Sequence, residues 1–267
     1  MANAASQRVT DLKPGDGYVQ SFARGLEVIR SFSAEAPSQT LTEVAERSGL
    51  TRAGARRILL TLQALGYVNL DGKSFSLTPR ILDLGFAYLS SMPIWNLAEP
   101  VMEKLVAEVR ESCSVAVLDG TDIVYVLRIP THKIMSINLG VGSRLPAYCT
   151  SLGRVLLGAL PDDELAERLE RSDITTRTKY TVTGMKDLLA RMEQVRKQGW
   201  SMVNQELEEG LVSMSAPITD RAGRTVAALN ISGQANRTSA KIMQETMLPQ
   251  LLSAAKDISR MLTVQRA

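Results

Sequence analysis

Apolar positions along the first eighty residues recur first with the period of helices and then with that of a hairpin. In SFARGLEVIRSF, Phe22, Leu26, Ile29 and Phe32 share one face, which predicts a supporting helix. Thr40 and Glu43 have the spacing of a capping box, so a second helix is expected near Leu41, with Leu41, Val44 and Ala45 as its apolar face. Gly49 can take a positive φ and end that helix, Leu50 plugs the gap behind the turn, and Thr51 is placed to cap a third helix. In the third helix Ala55, Ile58, Leu59, Leu62 and Leu65 form the expected buried stripe, while Arg52, Arg56 and Gln63 point elsewhere. Two β-prone runs holding Tyr67, Asn69, Phe75 and Leu77 then flank Asp71-Gly72, a strong signal for a tight hairpin.

Further on, Pro79 starts a largely uncharged helical stretch with Ile81, Leu82, Leu84 and Leu89. So apolar a segment between two domains is expected to pack on a second subunit, the alternative being its own domain. Pro93 marks a boundary, and a helix is expected over 96–110. From Ser114 the pattern changes to strands: SVAVLDG and DIVYVLRI around Asp119-Gly120, then IMSINLG as a third. Helices are expected at 151–160, 162–171 and 186–198, strands at 200–204, 211–220 and 225–232, and one long closing helix over about 239–261. Hairpins mixed with helices predict an α+β domain on a largely antiparallel sheet. The expected organisation is a loose arm over 1–17, a DNA-binding unit over 18–78, a linker helix over 79–92 and a second domain over 93–267.

Charge sharpens the first of these units. Residues 1–80 hold ten Lys/Arg against seven Asp/Glu, whereas 81–267 hold twenty-one of each, so the whole excess of +3 lies with the helices and hairpin. A basic outer face at the start of the third helix is what a recognition helix needs to enter the major groove of double-stranded DNA. A hairpin packed behind such a helix is a wing, with Lys73 at its tip placed to meet a phosphate. Thr51, Arg52, Arg56, Arg57 and Lys73 are therefore the candidate DNA contacts. A plain amphipathic hairpin with solvated arginines is the alternative.

Several chemistries find no support. Cys113 and Cys149 lack CxxC spacing and His132 is the sole histidine, so no disulfide framework, metal site or His-based triad is expected, and both cysteines read as small buried residues. Gly140 and Gly142 read as a turn, because no strand and helix flank them in dinucleotide-binding order. Glu206, Glu208 and Glu209 read as a solvated loop. No apolar run is long enough to span a bilayer and the N-terminus carries no signal peptide, which predicts a cytoplasmic protein without catalytic residues or cofactor.

Taken in order, ARGLEVIRSF, LTEVAERSGLTRAGARRILLTLQALGYV, RLPAYCTSLGRVLLG and QELEEGLVSMSAPITDRAGRTVAALNISG resemble the IclR-type bacterial transcriptional regulators, over residues 17–262. More narrowly, YVQSFARGLEVIRSF and RLPAYCTSLGRVLLG are similar to the subgroup controlling the β-ketoadipate pathway of aromatic-acid catabolism. The resemblance implies a winged helix-turn-helix, a dimerising linker helix and a C-terminal GAF-like effector domain. It implies a homodimer or dimer of dimers on palindromic operator DNA and a small organic acid as effector, aromatic or β-ketoadipate-like. Activation is the favoured sign. The alternatives are a repressor of another carboxylic-acid pathway, an orphan regulator, a small-molecule module without DNA binding, or an enzyme.

Carried over motif by motif, the effector cavity is expected to be lined by Leu145, Ser151 and Leu152, by Val203 and Ser213, and by Asn230 and Ser232. Related regulators can hold an acidic residue where Val203 stands and a serine where Asn230 stands, and those differences bear on the ligand. The amides opening the helix near Ser151, Leu152 and Gly153 are expected to receive a carboxylate, helped by Arg144, with Gly153 allowing close approach. The plain alternative has Ser151 capping its helix and Arg144 in solvent.

Overall fold

A computed structural model describes residues 17–91, 94–131 and 139–264. The proposed arm over 1–17 and His132 thus lie, apart from Gly17, outside the described residues, as does most of the expected third strand, 134–140. Contacts divide the chain between Tyr88 and Leu89 into two units.

In the first unit α1 (Gln20–Arg30), α2 (Leu41–Arg47) and α3 (Arg52–Ala64) enclose a small core of Val28, Val44, Ala45, Ala55, Leu59 and Leu62. The capping box forms: the Thr40 side chain accepts from the Glu43 amide, and Glu43 Oε2 accepts from the Thr40 amide at 2.7 Å. Glu43 therefore sits with its carboxyl below the ordinary range, held chiefly by that backbone bond. Gly49 ends α2 at φ +65°, and Thr51 caps α3 by accepting from the Gly54 amide at 3.1 Å.

Two residues expected inside lie outside. Phe22 is 68% exposed, because the face of α1 that packs is set by Val28 with Ile29 and Phe32. Leu65 is 52% exposed, since α3 stops at Ala64 and Gly66 at φ +81° turns the chain away. The wing is β2 (Val68–Asp71) paired with β3 (Ser74–Leu77), and β1 (Ser38–Thr40) adds a third antiparallel strand. Asp71 pairs with Ser74, so the two turn residues are Gly72 and Lys73, one place later than the Asp-Gly reading, with the positive φ at Gly72 alone. A short 3₁₀ turn (Pro79–Ile81) leads into α4 (Leu82–Ser90), whose Leu82, Leu84, Phe86 and Tyr88 are exposed.

The second unit is a six-stranded antiparallel sheet in the order β6-β5-β4-β9-β8-β7. Its strands are β4 (Ser112–Asp119), β5 (Asp122–Ile129), β6 (Arg144–Pro146), β7 (Ser201–Asn204), β8 (Leu211–Thr219) and β9 (Thr225–Gln234). On one face α5 (Ile94–Val109) and α10 (Leu248–Val264) bury Met102, Leu105, Leu251 and Ile258 against Cys113, Met214, Leu229 and Ile231. On the other, α6 (Ser151–Gly158) lies over the sheet, backed by α7 (Asp162–Glu170) and α8 (Met185–Gln198) through Leu152, Leu156, Leu169, Leu188 and Met192. The mixed, antiparallel α+β architecture is the expected one. The closing helix is not continuous: α9 (Ala240–Thr246) ends at Met247 before α10 begins, because Pro249 has no amide to carry the ladder through. No helix among the described residues is long and apolar enough to cross a membrane.

Candidate functional site

The alternation of the central strands places an unusual set of side chains under α6. Cys113, Met214 and Ile231 go to the α5/α10 core, and their neighbours along each strand go to the other side. Near α7 and α8 those neighbours are apolar, as in the pair Ala116 and Ala228. One rung further the register aligns Arg128, Ser114, Asn230, Ser215 and Ser201 across five strands, and the next rung aligns Ser112, Ser232, Ser213 and Val203. All the serines in these rungs are buried, and Asn230 is only 3% exposed. Buried hydroxyls and amides are costly unless bonded, so such a floor has to be satisfied by its own network or by something above it.

A small cavity, open to solvent at its mouth, lies above it. Seven of the eight expected effector residues line it together: Leu145, Ser151, Leu152, Val203, Ser213, Asn230 and Ser232. Ser215 donates to Ser151 Oγ at 2.6 Å, and Ser151 donates to Ser213 Oγ at 2.9 Å, which ties α6 to the floor. Asn230 Oδ1 has no hydrogen-bond partner among the described residues. Tyr125 and Cys149 join the lining, and burial pushes the Tyr125 phenol up to about 12, against the pull of the nearby Arg128 charge.

Arg144, the eighth, is a correction. Its guanidinium is turned to the β4–β5 turn, where it donates to Asp119 Oδ2 at 2.7 Å and Asp122 Oδ2 at 3.2 Å, outside the cavity lining. Those two carboxylates hold its proton more tightly than usual, the Asp119 hydrogen bond foremost. The basic residue in the lining is Arg128, half-buried, whose one hydrogen bond among the described residues is a long 3.5 Å contact to Ser114 Oγ. A register shift between Val115 and Ala116 lets Tyr125 and Arg128, three residues apart, face the same side. Strict alternation sends them to opposite faces, which is why the sequence reading passed over Arg128. Ser112, Ser114 and Ser215 were also missed, although SCS at 112–114 and SMS at 213–215 repeat the spaced polar pair of NIS at 230–232.

α6 starts at Ser151, as expected, but Ser151 is not its cap. Thr150, not Ser151, caps it, and its Oγ1 takes the Gly153 amide at 3.1 Å. Gly153 is needed for the chain itself: a Cβ there would lie 2.1 Å from the Ala147 carbonyl oxygen, so backbone and not ligand fills the space. Glu206, read as solvated, is buried and holds Arg154 in a two-pronged ion pair at 2.7 and 2.6 Å. Gly140 and Gly142 do form a turn, Gly142 at φ +88°. Cys113 and Cys149 are free and buried, and no cluster of three metal-ligating side chains occurs among the described residues.

In the first unit Arg52, Arg56 and Arg57 are exposed at the start of α3, on the side away from Ala55, Leu59 and Leu62, and Lys73 is exposed at the wing tip. Thr51 spends its hydroxyl on the cap.

With both sites in view, the match to known proteins is decisive. Residues 21–72 match the IclR helix-turn-helix domain, and residues 86–260 match the bacterial transcriptional regulator IclR C-terminal domain. The chain belongs to the IclR family of bacterial transcriptional regulators. This IclR-family chain is a DNA-binding regulator and not an enzyme. It is 41% identical over 258 residues to the Pca regulon regulatory protein of Pseudomonas putida, covering 96% of this chain and 89% of that one. To the p-hydroxybenzoate hydroxylase transcriptional activator of Acinetobacter baylyi it is 33% identical over 248 residues, 91% and 92% of the two chains. A crystal structure of a transcriptional regulator from Rhodococcus sp. RHA1, 51% identical, superposes with a TM-score of 0.83 over 92% of this chain and 98% of the other. The resemblance seen in the motifs, to regulators of aromatic-acid catabolism, is thereby matched along nearly the full length.

Proposed function

We propose that this regulator controls genes of aromatic-acid catabolism and that a small organic acid, bound in the cavity between α6 and the sheet, sets its activity. The observation that carries the reading is the buried Asn230 Oδ1, without a partner among the described residues, on a polar floor under a cavity. A buried acceptor of this kind is costly until a donor reaches it, and a ligand in the cavity can supply that donor. The relatives' names, a Pca regulon regulator and an activator of p-hydroxybenzoate hydroxylase, support the choice of ligand chemistry and favour activation.

Arg52, Arg56 and Arg57 on α3 are the residues proposed to read operator DNA, with Lys73 on a phosphate. Thr51 contributes by fixing the N-terminus of α3. The exposed apolar run Leu82, Leu84, Phe86 and Tyr88 of α4 supports a homodimer, or dimer of dimers, acting in the cytoplasm on paired half-sites about 10 base pairs, or a multiple, apart. The reading is tested by heating the purified protein with aromatic acids and pathway dicarboxylates in turn. A ligand that binds only the folded state raises its melting temperature. The proposal expects such a rise with at least one of these acids and a retarded promoter fragment in gel shift. No rise with any of them, or no retardation, contradicts it.

A further inference from the structure

The cavity is narrower than its proposed use. The space within it open to the centres of water molecules is about 30 Å³, room for about two waters but not for a ring that carries a carboxylate. Part of the wall therefore has to give way before an organic acid can enter. The floor is fixed, since Asn230 and Ser232 stand on β9 and Ser213 on β8, strands paired on both sides. The helix α6 is fixed as well, because its Gly153 packs against the Ala147 main chain.

Leu207 stands apart. It lines the cavity and is only half-buried, on residues 205–210, which join β7 to β8. The ends of this connection are posts. Glu206 is held by Arg154 on one side and on the other by the Val182 amide at 3.1 Å and by the Thr181 hydroxyl, which donates to its carbonyl at 2.7 Å. Thr178 likewise donates to the carbonyl of Gln205 at 2.7 Å. Gln205 sits at φ +62°, a strained conformation for a residue with a side chain, which persists where the surrounding bonds fix it. At the far end Gly210, at φ +84°, accepts from the Ala235 amide at 2.8 Å. Between the posts the Glu208 carbonyl takes the Leu211 amide at 3.2 Å, the long end of the normal range. A leucine already half in water gives up little burial by swinging out.

We propose that Leu207 is the gate of the cavity: the tip 207–209 swings between Glu206 and Gly210, and the open form admits a molecule the size of a substituted ring. That an effector uses this passage rests on the reading of the cavity given above, whereas the passage itself does not. Opening breaks no ion pair at Glu206, which stays on Arg154 throughout. Cys149 reports the passage. It lines the cavity, its thiol is buried, and besides that burial it feels the charges of Arg177, Arg154 and Glu206, which places it near the post. Cys113 lies on the opposite face of the sheet, in the α5/α10 core.

The test follows labelling of both cysteines in the full-length protein by N-phenylmaleimide, a thiol reagent that carries a ring, each rate divided by that of the same cysteine in urea. A thiol exposed by local opening reacts independently of global stability, and one exposed by unfolding tracks it. The parent is compared with Leu207→Ala and with Ile258→Val, which trims a core residue of α10. Leu207→Ala removes the burial that holds the tip closed and should speed Cys149 by roughly three- to tenfold. Ile258→Val should speed Cys113 by roughly two- to tenfold and leave Cys149 unchanged. Acceleration of Cys149 by Ile258→Val to the same degree as Cys113 overturns the gate, because the cavity then opens only with the whole domain. A Cys149 rate indifferent to Leu207→Ala overturns it too, since the passage then lies elsewhere. Labelling as expected, with no acid raising the melting temperature, supports the gate and overturns the effector reading alone, so the two failures are distinguishable.

Discussion

Arg154 on α6 and Glu206 in the β7–β8 connection form a buried, two-pronged ion pair, with side chains only 2% and 9% exposed. Arg154 also donates from Nε to the Tyr148 carbonyl at 3.1 Å, while Glu206 accepts from the Val182 amide at 3.1 Å. The pair thus joins the start of α6, which carries Ser151 and Leu152, to the loop that carries Leu207, and all three of those residues line the cavity. Breaking one partner leaves the other charge buried without compensation. Glu206→Ala is expected to destabilise the domain by about 3–5 kcal/mol. The double variant Arg154→Met, Glu206→Leu should cost clearly less than that single change, read as urea midpoints in a double-mutant cycle. Equal costs for single and double variants would show that the pair is not what holds these segments.

Gly153 is where α6 comes nearest to other backbone. An added Cβ meets the Ala147 oxygen, Cα and carbonyl carbon at 2.1, 2.3 and 2.5 Å. No side-chain rotation relieves a clash with main chain, so Gly153→Ala should cost at least the roughly 1–3 kcal/mol of an overpacked core site, although alanine favours helices elsewhere. A melting temperature unchanged by this substitution argues against so close an approach.

Cys149 gives the cavity wall a pH signature. Burial is the main reason its thiol is pushed up to about 11. In the unfolded chain a thiol ionises near the ordinary value of about 8.5, so the native state favours the neutral form. Its contribution is therefore full below about 8.5 and is lost as pH rises towards 11. Stability measured by urea unfolding should fall across that window, and Cys149→Ala should flatten part of the fall. Buried Cys113 is shifted in the same direction and supplies a separate part of it. Alkylation by iodoacetamide at pH 8.5 should likewise be slow in the folded protein and fast in urea. Equal rates in both states would refute the burial of these thiols.

The DNA-reading face makes its own demands. Arg56→Ala should weaken operator binding by about 1–3 kcal/mol where it reads a base edge, whereas Lys73→Ala should lower the salt slope by about one with little effect on sequence preference. Fluorescence anisotropy over a range of salt concentrations measures both. Affinity and slope unchanged in the two variants would remove these residues from the interface.

Legibility in the sequence followed the range of each interaction. The capping box, Gly49 and Thr51 are local and fold as their spacing implies, and the wing forms with its turn one place later than Asp71-Gly72. Leu65 and Phe22 share helical periodicity with core residues but sit beyond the last packed turn and on an open flank, information that lies in the neighbours and not in the repeat. The floor of the cavity was half legible: Ser213, Asn230 and Ser232 were reached through motifs. Arg128 depended on a bulge, and no local pattern told its role from that of Arg144. Glu206 looked solvated because its partner Arg154 lies 52 positions away. The break at Met247 was visible in Pro249 but masked by the apolar repeat running through it.

The central claim is that an organic acid in the cavity changes how the helix-turn-helix holds its operator. The most direct measurement is operator affinity of the purified protein, by anisotropy at fixed salt, without ligand and with a saturating acid whose binding calorimetry has confirmed. Coupling of the usual size shifts the dissociation constant by roughly 5–150-fold. A bound acid that leaves the operator dissociation constant unchanged would contradict the account.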